Sequence, residues 1–237
     1  MPKIGLRARI GRATRSVIVV AAGLACALPA SRAEQAEARE ARCPSANVIV
    51  HVSSSKDMTA ICEAAGKALD FLAGQGLDVS HPVRIDVANE LPSIADRSAV
   101  GCFLRKDDRV VVLSYAEFAR HRTWFELPID RALYASLVVH EVAHAVAACN
   151  FRMPKPSLRA NEYVAYVTML STMPAALRDR VLANYPGTGY DDDVQIDDII
   201  YLMNPMRFGV EVYRHFLKPG NGRDYLWRLL EGKALVD

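Results

Sequence analysis

Two histidines and a glutamate in an apolar stretch are the residues of this chain best placed to do chemistry. Residues 137–146 contain the pattern His140-Glu141-x-x-His144. On an α-helix, residues four apart lie on the same face. His140 and His144 would therefore direct both imidazoles at one point, as two nitrogen ligands of a zinc ion require. Glu141 would lie beside the metal and could act as a general base on water activated by zinc.

The surroundings of this motif favour a functional site over a chance match. The chain has 6 His and 27 acidic residues among 237, and we put a chance occurrence at roughly 1 % per chain. Positions 132–149 carry no charge except Glu141, which predicts a buried helix. Burying three polar groups without partners costs several kcal/mol, and a metal ion would satisfy all three. The alternative is a helix with two hydrogen-bonded core histidines and a paired glutamate.

A third ligand is needed, because a catalytic zinc usually takes three protein ligands and keeps one position open. Glu162 follows His144 after 17 residues, on an otherwise apolar helix. That length lets the first helix end, turn through two prolines and return with a carboxylate at the metal. The alternative for Glu162 is an exposed helix charge. Asp179 and the acidic run 191–193 lie further away in polar surroundings typical of loops.

Taken together, these motifs resemble those of the gluzincin metallopeptidases. The resemblance covers residues 128–171 and consists of HEVAH, the Asn-Glu pair after it and the small residue Ala165 one turn on. It implies that His140, His144 and Glu162 bind one zinc ion. It also implies that Glu141 activates water, that Ala165 keeps two helices close, and that the substrate is a peptide or protein. The metzincin and inverted zincin motifs are absent from the sequence.

Members of this family often stabilise the oxyanion with a tyrosine or histidine that follows the third ligand. Four such residues are available, and we favour two of them, Tyr213 and His215, because residues 204–216 are aromatic and basic enough to line a cleft. Core packing explains Tyr213 equally well. The other two are Tyr166 and Tyr201. Asn161 is a candidate for orienting Glu162 or a motif histidine.

The first 33 residues have the features of a secretory signal peptide. Five basic residues precede an apolar run from Val17 to Ala30, and Ser31-Arg32-Ala33 offers a cleavage site before Glu34. The run is short for a transmembrane helix. We therefore expect an exported protein, periplasmic or secreted, without a stable membrane anchor after cleavage. An uncleaved anchor and a lipid anchor at Cys26 are the alternatives.

The charge balance excludes one class of partner. Residues 1–33 hold six of the 29 basic residues and none of the 27 acidic ones, so the mature chain would have 23 basic against 27 acidic residues. No basic tract remains that would suggest binding to nucleic acid. The oligomeric state is not indicated by the sequence.

Four cysteines remain after the leader, which indicates a disulfide framework in an oxidising compartment. Four cysteines allow three pairings. We favour Cys43–Cys62 with Cys102–Cys149, because the second bond would tie the end of the metal helix to a neighbouring strand. Buried free thiols are the alternative, whereas metal ligation is disfavoured because no two cysteines have a C-x-x-C spacing.

The order of the expected elements predicts an α+β fold, with a small N-terminal sheet followed by a helical half. We expect a signal peptide over 1–33, a mobile segment over 34–42 and one domain over 43–237, which the resemblance implies is zincin-like. Strands are expected at 47–52, 81–87, 100–104 and 109–113, the last two as a hairpin. Helices are expected at 57–73, 115–121, 128–150, 157–172, 174–184, 197–217 and 223–235.

The function that the sequence predicts is that of an exported zinc-dependent metallohydrolase, most simply a peptidase with Glu141 as general base. The alternative is a non-catalytic domain, either stabilised by zinc or a degenerate peptidase fold that binds peptides. An intact Glu141 disfavours both forms of that alternative, because a structural zinc site has no use for it.

Overall fold

Strands come first along the chain and helices follow, as the sequence predicts for an α+β fold. The computed structural model describes residues 39–52, 55–95 and 99–235. The strands are β1 (Arg39–Arg42), β2 (Val48–Val52), β3 (Val83–Ala88), β4 (Gly101–Leu104), β5 (Arg109–Leu113), β6 (Thr123–Trp124) and β7 (Leu127–Pro128). The helices are α1 (Ser55–Gly74), α2 (Tyr115–Ala119), α3 (Arg131–Asn150), α4 (Leu158–Thr172), α5 (Ala175–Asn184), α6 (Asp198–Met203), α7 (Pro205–Phe216) and α8 (Gly222–Leu230).

Five strands form one mixed sheet in the order β1-β2-β3-β5-β4. The three central strands are parallel, and β1 and β4 run antiparallel at the two edges. One face carries Val50, Ile85 and Val110, which join the hydrophobic core with α1 and α3. Successive residues of a strand point to opposite sides of the sheet. The residues that alternate with these core positions therefore lie on the other face, which carries polar side chains.

A polar row on that outer face links four neighbouring strands. His51 of β2 contacts Asp86 of β3 through Nδ1 at 2.7 Å and Glu40 of β1 through Nε2 at 2.9 Å. The Nη1 atom of Arg109 donates to the other oxygen of Asp86 at 2.6 Å. Side-chain contacts therefore add to the backbone ladder that holds β1 at the edge.

The last four residues of the segment expected to be mobile, 34–42, form strand β1. Arg39–Arg42 pair with Ile49 to Val52 of β2 in an antiparallel ladder. The expected signal peptide, residues 1–33, and residues 34–38 lie outside the described residues.

Only one of the two expected disulfides is present among the described cysteines. Cys43, in the turn after β1, is bonded to Cys62 of α1. The prediction of Cys102–Cys149 is wrong, since both are free. Cys102 stands opposite Val111 in the β4–β5 ladder and so belongs to the outer face of the sheet. Helix α3 packs on the opposite face, so the Cys102 side chain points away from it.

Helix α3 crosses the middle of the domain. It begins after Asp130, whose side chain accepts a hydrogen bond from Leu133 N at 2.8 Å. Pro128, expected near the start of this helix, belongs instead to β7, where it pairs with Thr123. By length and composition α3 is apolar enough to cross a membrane, but 72% of its most apolar window is buried within the protein. The apolar side chains of α3 therefore pack against α1, α4 and the sheet.

The single helix expected over 197–217 is divided in two. Helix α6 ends at Met203, and α7 begins at Pro205. Asn204 lies between them and caps α7, with its side chain accepting from Arg207 N at 3.0 Å. A proline is favoured at the first position of a helix but lacks the N–H needed within one. The Asn204-Pro205 pair therefore interrupts the helix expected over 197–217, and α6 and α7 are separate helices.

Candidate metal centre

Helices α3 and α4 bring three potential metal ligands to one point. His140 and His144 lie one turn apart on α3, and their Nε2 atoms are 3.2 Å apart. From α4, Glu162 places Oε2 at 3.4 Å from His140 Nε2 and Oε1 at 3.5 Å from His144 Nε2. The three residues form a cluster that could hold a metal ion. The sequence-predicted ligand set is therefore assembled by the fold.

The hydrogen bonding of the cluster also fits a metal-binding role. His140 and Glu162 are buried, and His144 is half-buried. Glu162 Oε2 has no hydrogen-bond partner within the described part of the chain. A buried carboxylate oxygen without a partner is costly. A cation bound between Glu162 and the two imidazoles would remove that cost.

The side chains of His140, His144 and Glu162 also shift one another's pKa values. Burial alone would raise the pKa of Glu162, but His144, His140 and the Tyr201 hydroxyl together lower it. Burial alone would lower the pKa of His140, which Glu162 instead raises. Burial lowers the pKa of His144 to about 4. Glu162 is therefore ionised and His144 neutral at neutral pH, and these are the forms of carboxylate and imidazole that ligate a metal.

Glu141 is buried beside this cluster and has the properties of a base. Burial is the largest cause that raises its pKa, to about 7. A catalytic carboxylate with a pKa near neutrality can both take up and release a proton. Its side chain extends toward the sheet and lies against Gly101, the first residue of edge strand β4.

Aromatic rings enclose the site. The ring of Tyr166, one turn after Glu162 on α4, lies edge-on to His140 with 4.6 Å between the ring centroids. Tyr166 also lies so close to Gly209 of α7 that no Cβ could be accommodated there. Tyr201 of α6 directs its hydroxyl at Glu162 and, as a donor, helps to lower the pKa of that carboxyl.

The structure does not bring Tyr213 and His215 to the metal ligands. His215 Nδ1 is 2.8 Å from the Tyr163 hydroxyl, in a buried cluster that continues to Tyr225. Tyr213 interacts with Arg178 instead. Tyr213 and His215 are two residues apart and so lie on different sides of α7. The residues of α7 that reach Tyr166 at the site, Phe208 and Gly209, lie at least one turn earlier in the helix.

Asn161, a candidate for orienting the ligands, is used elsewhere. Its side-chain amide donates to the carbonyl of Ser157 at 2.8 Å, within the first turn of α4.

Tyr166 and Tyr201 are the two tyrosines at the site. The position of Tyr166, four residues after Glu162, is a helical spacing visible in the sequence. The contact between Gly101 and Glu141 has no such local signal.

The chain belongs to a family of unknown function, DUF6639, whose model matches residues 48–237. The matched region begins at β2 and includes all three ligands, Glu141, Gly101 and α6. No similar curated protein and no similar solved structure was found.

Proposed function

We propose that this protein is a zinc-dependent metallopeptidase in which His140, His144 and Glu162 hold one zinc ion and Glu141 is the general base. The observation that carries the proposal is the close approach of the ligand atoms: His140 Nε2 and His144 Nε2 are 3.2 Å apart, Glu162 Oε2 is 3.4 Å from the first, and Glu162 Oε1 is 3.5 Å from the second. Atoms bound about 2.05 Å from one zinc at tetrahedral angles lie about 3.3 Å from one another. Two imidazole nitrogens and one carboxylate oxygen are also the ligand set of many catalytic zinc sites.

The residues of the chain fit a hydrolytic role for this metal. Bound zinc would supply Lewis-acid chemistry, polarising a carbonyl group and lowering the pKa of water. Glu141 lies next in sequence to one ligand and would take a proton from the attacking water. It would then deliver that proton to the leaving amine. Burial, which favours the neutral form of a carboxyl group, would help Glu141 to hold the proton between the two steps.

The edge strand β4 supports a peptide as the substrate. β4 pairs with β5 on one side and has no strand partner on the other within the described residues. An extended peptide can add to such an edge through backbone hydrogen bonds. Because Glu141 lies against Gly101 of β4, a peptide paired there would pass close to Glu141.

These features support a gluzincin-like assignment with a zincin-like fold, in which two ligands come from one helix and the third from the next. Export, to the periplasm or outside the cell, belongs to the same proposal and rests on the sequence of residues 1–33. The Cys43–Cys62 disulfide supports it, since disulfides persist in oxidising compartments.

The proposal is tested by measuring metal content and peptide cleavage on the same preparations. We expect one zinc per chain in wild type and in Glu141→Gln, which keeps the size of the side chain but removes its basicity. Wild type should cleave members of a broad peptide library. Glu141→Gln should lose at least a thousandfold in kcat while keeping its zinc.

Two results would contradict the proposal. Absence of zinc from wild type after incubation with equimolar metal would exclude the site. Stoichiometric zinc without cleavage of any library peptide would instead leave a non-catalytic zinc domain.

A further inference from the structure

The imidazole of His140 lacks the hydrogen bond that usually orients a metal-binding histidine. Such a histidine binds the metal through one ring nitrogen and donates a hydrogen bond from the other, which fixes the direction of the ring. In His140 the atom that faces His144 and Glu162 is Nε2. Its Nδ1 is buried and has no hydrogen-bond partner within the described part of the chain. No protein group therefore fixes this ring by a hydrogen bond at Nδ1, which leaves packing to orient it.

The ring of Tyr166 provides that packing. The planes of the Tyr166 and His140 rings are inclined at 67°, with 4.6 Å between their centroids. Tyr166 is only 4% exposed and lies one turn after Glu162 on α4, so the helix that carries the third ligand also carries this ring. A displacement of the Tyr166 ring would therefore change the space in which the imidazole is held.

Tyr166 is held in turn by two other elements. The ring of Phe125, from the β6–β7 hairpin, lies edge-on to it with 6.3 Å between centroids. Phe208 of α7 lies at the same centroid distance, and a Cβ on Gly209 would overlap with the Tyr166 ring. The side chain of Tyr166 is therefore closely packed on the hairpin side and on the α7 side. We call Phe125, Tyr166 and Phe208 the aromatic support.

The tip of the β6–β7 hairpin has an unusual sequence for its backbone conformation. Phe125 and Glu126 connect the paired residues Trp124 and Leu127, and both have positive φ angles, 52° and 59°. A two-residue turn of this kind favours Asn-Gly, and a bulky side chain is strained there. Phe125 is nevertheless 1% exposed, and its carbonyl accepts from the Asn184 side chain at 3.0 Å. The turn thus keeps Phe125 for the contacts of its ring, and strained residues of this kind are concentrated at functional sites.

We propose that Tyr166 is a positioning residue for the metal ligand His140, and that Phe125 at the tip of the β6–β7 hairpin holds Tyr166 in that role. The inference rests on the metal site of the proposed function and goes beyond it, because it assigns a role to a hairpin that contributes no ligand. Contact between rings takes the place of the hydrogen bond at Nδ1. Loss of either ring should therefore weaken metal binding and alter the coordination geometry while all three ligands remain.

Two simpler roles for these rings predict different results. If Tyr166 acted through its hydroxyl group, Tyr166→Phe would be as harmful as removal of the whole ring. If the aromatic support contributed only to the hydrophobic core, any other ring of the same buried cluster would matter equally for metal binding.

The first test compares Tyr166→Leu with Tyr166→Phe. The affinities for Zn²⁺ and Co²⁺ are measured by competition with a chromophoric chelator. Tyr166→Leu should bind both metals about 10- to 100-fold more weakly than wild type, as is typical when a group that orients a ligand is lost. Tyr166→Phe keeps the ring and should stay within about threefold of wild type. The visible absorption of bound Co²⁺, which depends on the geometry of its ligands, should change in Tyr166→Leu alone.

The second test compares Phe125→Leu with the matched control Phe118→Leu. Both phenylalanines are buried in one aromatic cluster, but the ring of Phe118 contacts those of Trp124 and Tyr134. Each change should lower the Tm of the metal-free protein by a similar amount, because each removes a buried ring of the same size. Phe125→Leu should also weaken Co²⁺ binding about tenfold and change the Co²⁺ absorption. Phe118→Leu should leave both as in wild type.

Three results would overturn the inference. Wild-type affinity and absorption in Tyr166→Leu would show that the ring does not position His140. Equal losses in Tyr166→Phe and Tyr166→Leu would assign the effect to the hydroxyl group. Equal losses of metal affinity in Phe118→Leu and Phe125→Leu would assign it to general loosening of the core, and this pair decides the question if Tyr166→Leu does not fold.

The same measurements separate this inference from the proposed function. Metal binding by wild type without cleavage of any peptide would overturn the proposed peptidase and leave the role of Tyr166 intact. A wild-type protein that binds neither Zn²⁺ nor Co²⁺ would overturn both.

Discussion

The Glu141 carboxyl group lies directly against the backbone of Gly101. A Cβ at position 101 would be 2.6 Å from both Cγ and Oε1 of Glu141. The contact joins the motif helix α3 to the edge strand β4 at the residue expected to move the proton. Glycine is required here for space, since any side chain would overlap with the carboxyl group.

Gly101→Ala should therefore displace Glu141 without removing a ligand. We expect kcat/KM to fall at least tenfold, because a displacement of about 1 Å can cost up to a hundredfold in rate. Zinc content, measured by atomic emission, should be unchanged. Gly74→Ala is the matched control, since a Cβ there meets no atom within 4 Å. Equal activity of the two variants would show that Glu141 is not held by this contact.

Removal of the metal should lower the stability of the domain. A ligand at about a thousand times its Kd stabilises a native state by about 4 kcal/mol, which for a domain of this size corresponds to a change in Tm of roughly 10 °C. Scanning calorimetry with and without a chelator should show that change in wild type. Glu162→Gln, which loses the charge of the third ligand, should show a much smaller one. Identical melting of wild type in zinc and in chelator would contradict the assignment of the cluster.

Tyr201→Phe should weaken metal binding, because the hydroxyl of Tyr201 supports the ionised form of Glu162. Loss of a partner that orients a ligand typically costs about 10- to 100-fold in metal affinity. Competition with a chromophoric chelator measures the effect.

Tyr163→Phe is the comparison for that experiment. It removes a hydroxyl from the next residue of α4 after Glu162, but that hydroxyl contacts His215 and not a ligand. Its zinc affinity should match that of wild type. Similar losses in both variants would mean that the contact of the Tyr201 hydroxyl with Glu162 is not the cause.

His51 should make the stability of the sheet dependent on pH. Hydrogen bonds with Glu40 and then Asp86 raise the pKa of His51 above its ordinary value of 6.5. A pKa raised by folding stabilises the protein fully below the unfolded-state pKa, and that stabilisation is lost as the pH rises through the folded-state pKa. Urea unfolding should show a larger loss for His51→Gln at pH 5.5 than at pH 9.

Removing the two carboxylates that hydrogen-bond to His51 provides the control for this prediction. In a Glu40→Gln/Asp86→Asn background, the loss of stability caused by His51→Gln should no longer change with pH. A persistent pH dependence in that background would trace the effect to other groups.

The Cys43–Cys62 disulfide should contribute about 3 kcal/mol to stability, as expected for a loop closed over a separation of 19 residues. Cys43→Ser with Cys62→Ser should lose this amount in urea unfolding. The pair Cys102→Ser and Cys149→Ser should change stability little, since both thiols are free. Peptide mapping without reduction that finds a Cys102–Cys149 crosslink would contradict the structure.

The motif histidines could be predicted from the sequence because their arrangement depends on local periodicity. His140 and His144 share a helical face by spacing alone, and the β4–β5 hairpin follows equally from two β-rich runs around a polar turn. In both cases, residues near in sequence determine the result. Glu162 is indicated instead by its place on an otherwise apolar helix and by the resemblance of the Asn-Glu pair, because its approach to the histidines depends on how α4 packs on α3.

The errors arose where distant segments decide the outcome. The face on which Cys102 lies depends on the register of β4 against β5, which no local pattern reveals. Which residues of α7 approach the site depends on the close contact of Gly209 with Tyr166, at least one turn before Tyr213 and His215. The division of α6 from α7 is different, because Asn204-Pro205 is a readable break.

Helix α3 carries both motif histidines and one of the most hydrophobic surfaces of the chain, and this combination affects how the protein can be handled. An unfolded chain exposes a segment as apolar as a membrane span, which promotes aggregation at micromolar concentrations. We expect refolding yield to fall steeply with protein concentration. Heating above the Tm should accordingly produce turbidity at high protein concentration, and the half-life at such temperatures is then set by the rate of irreversible loss.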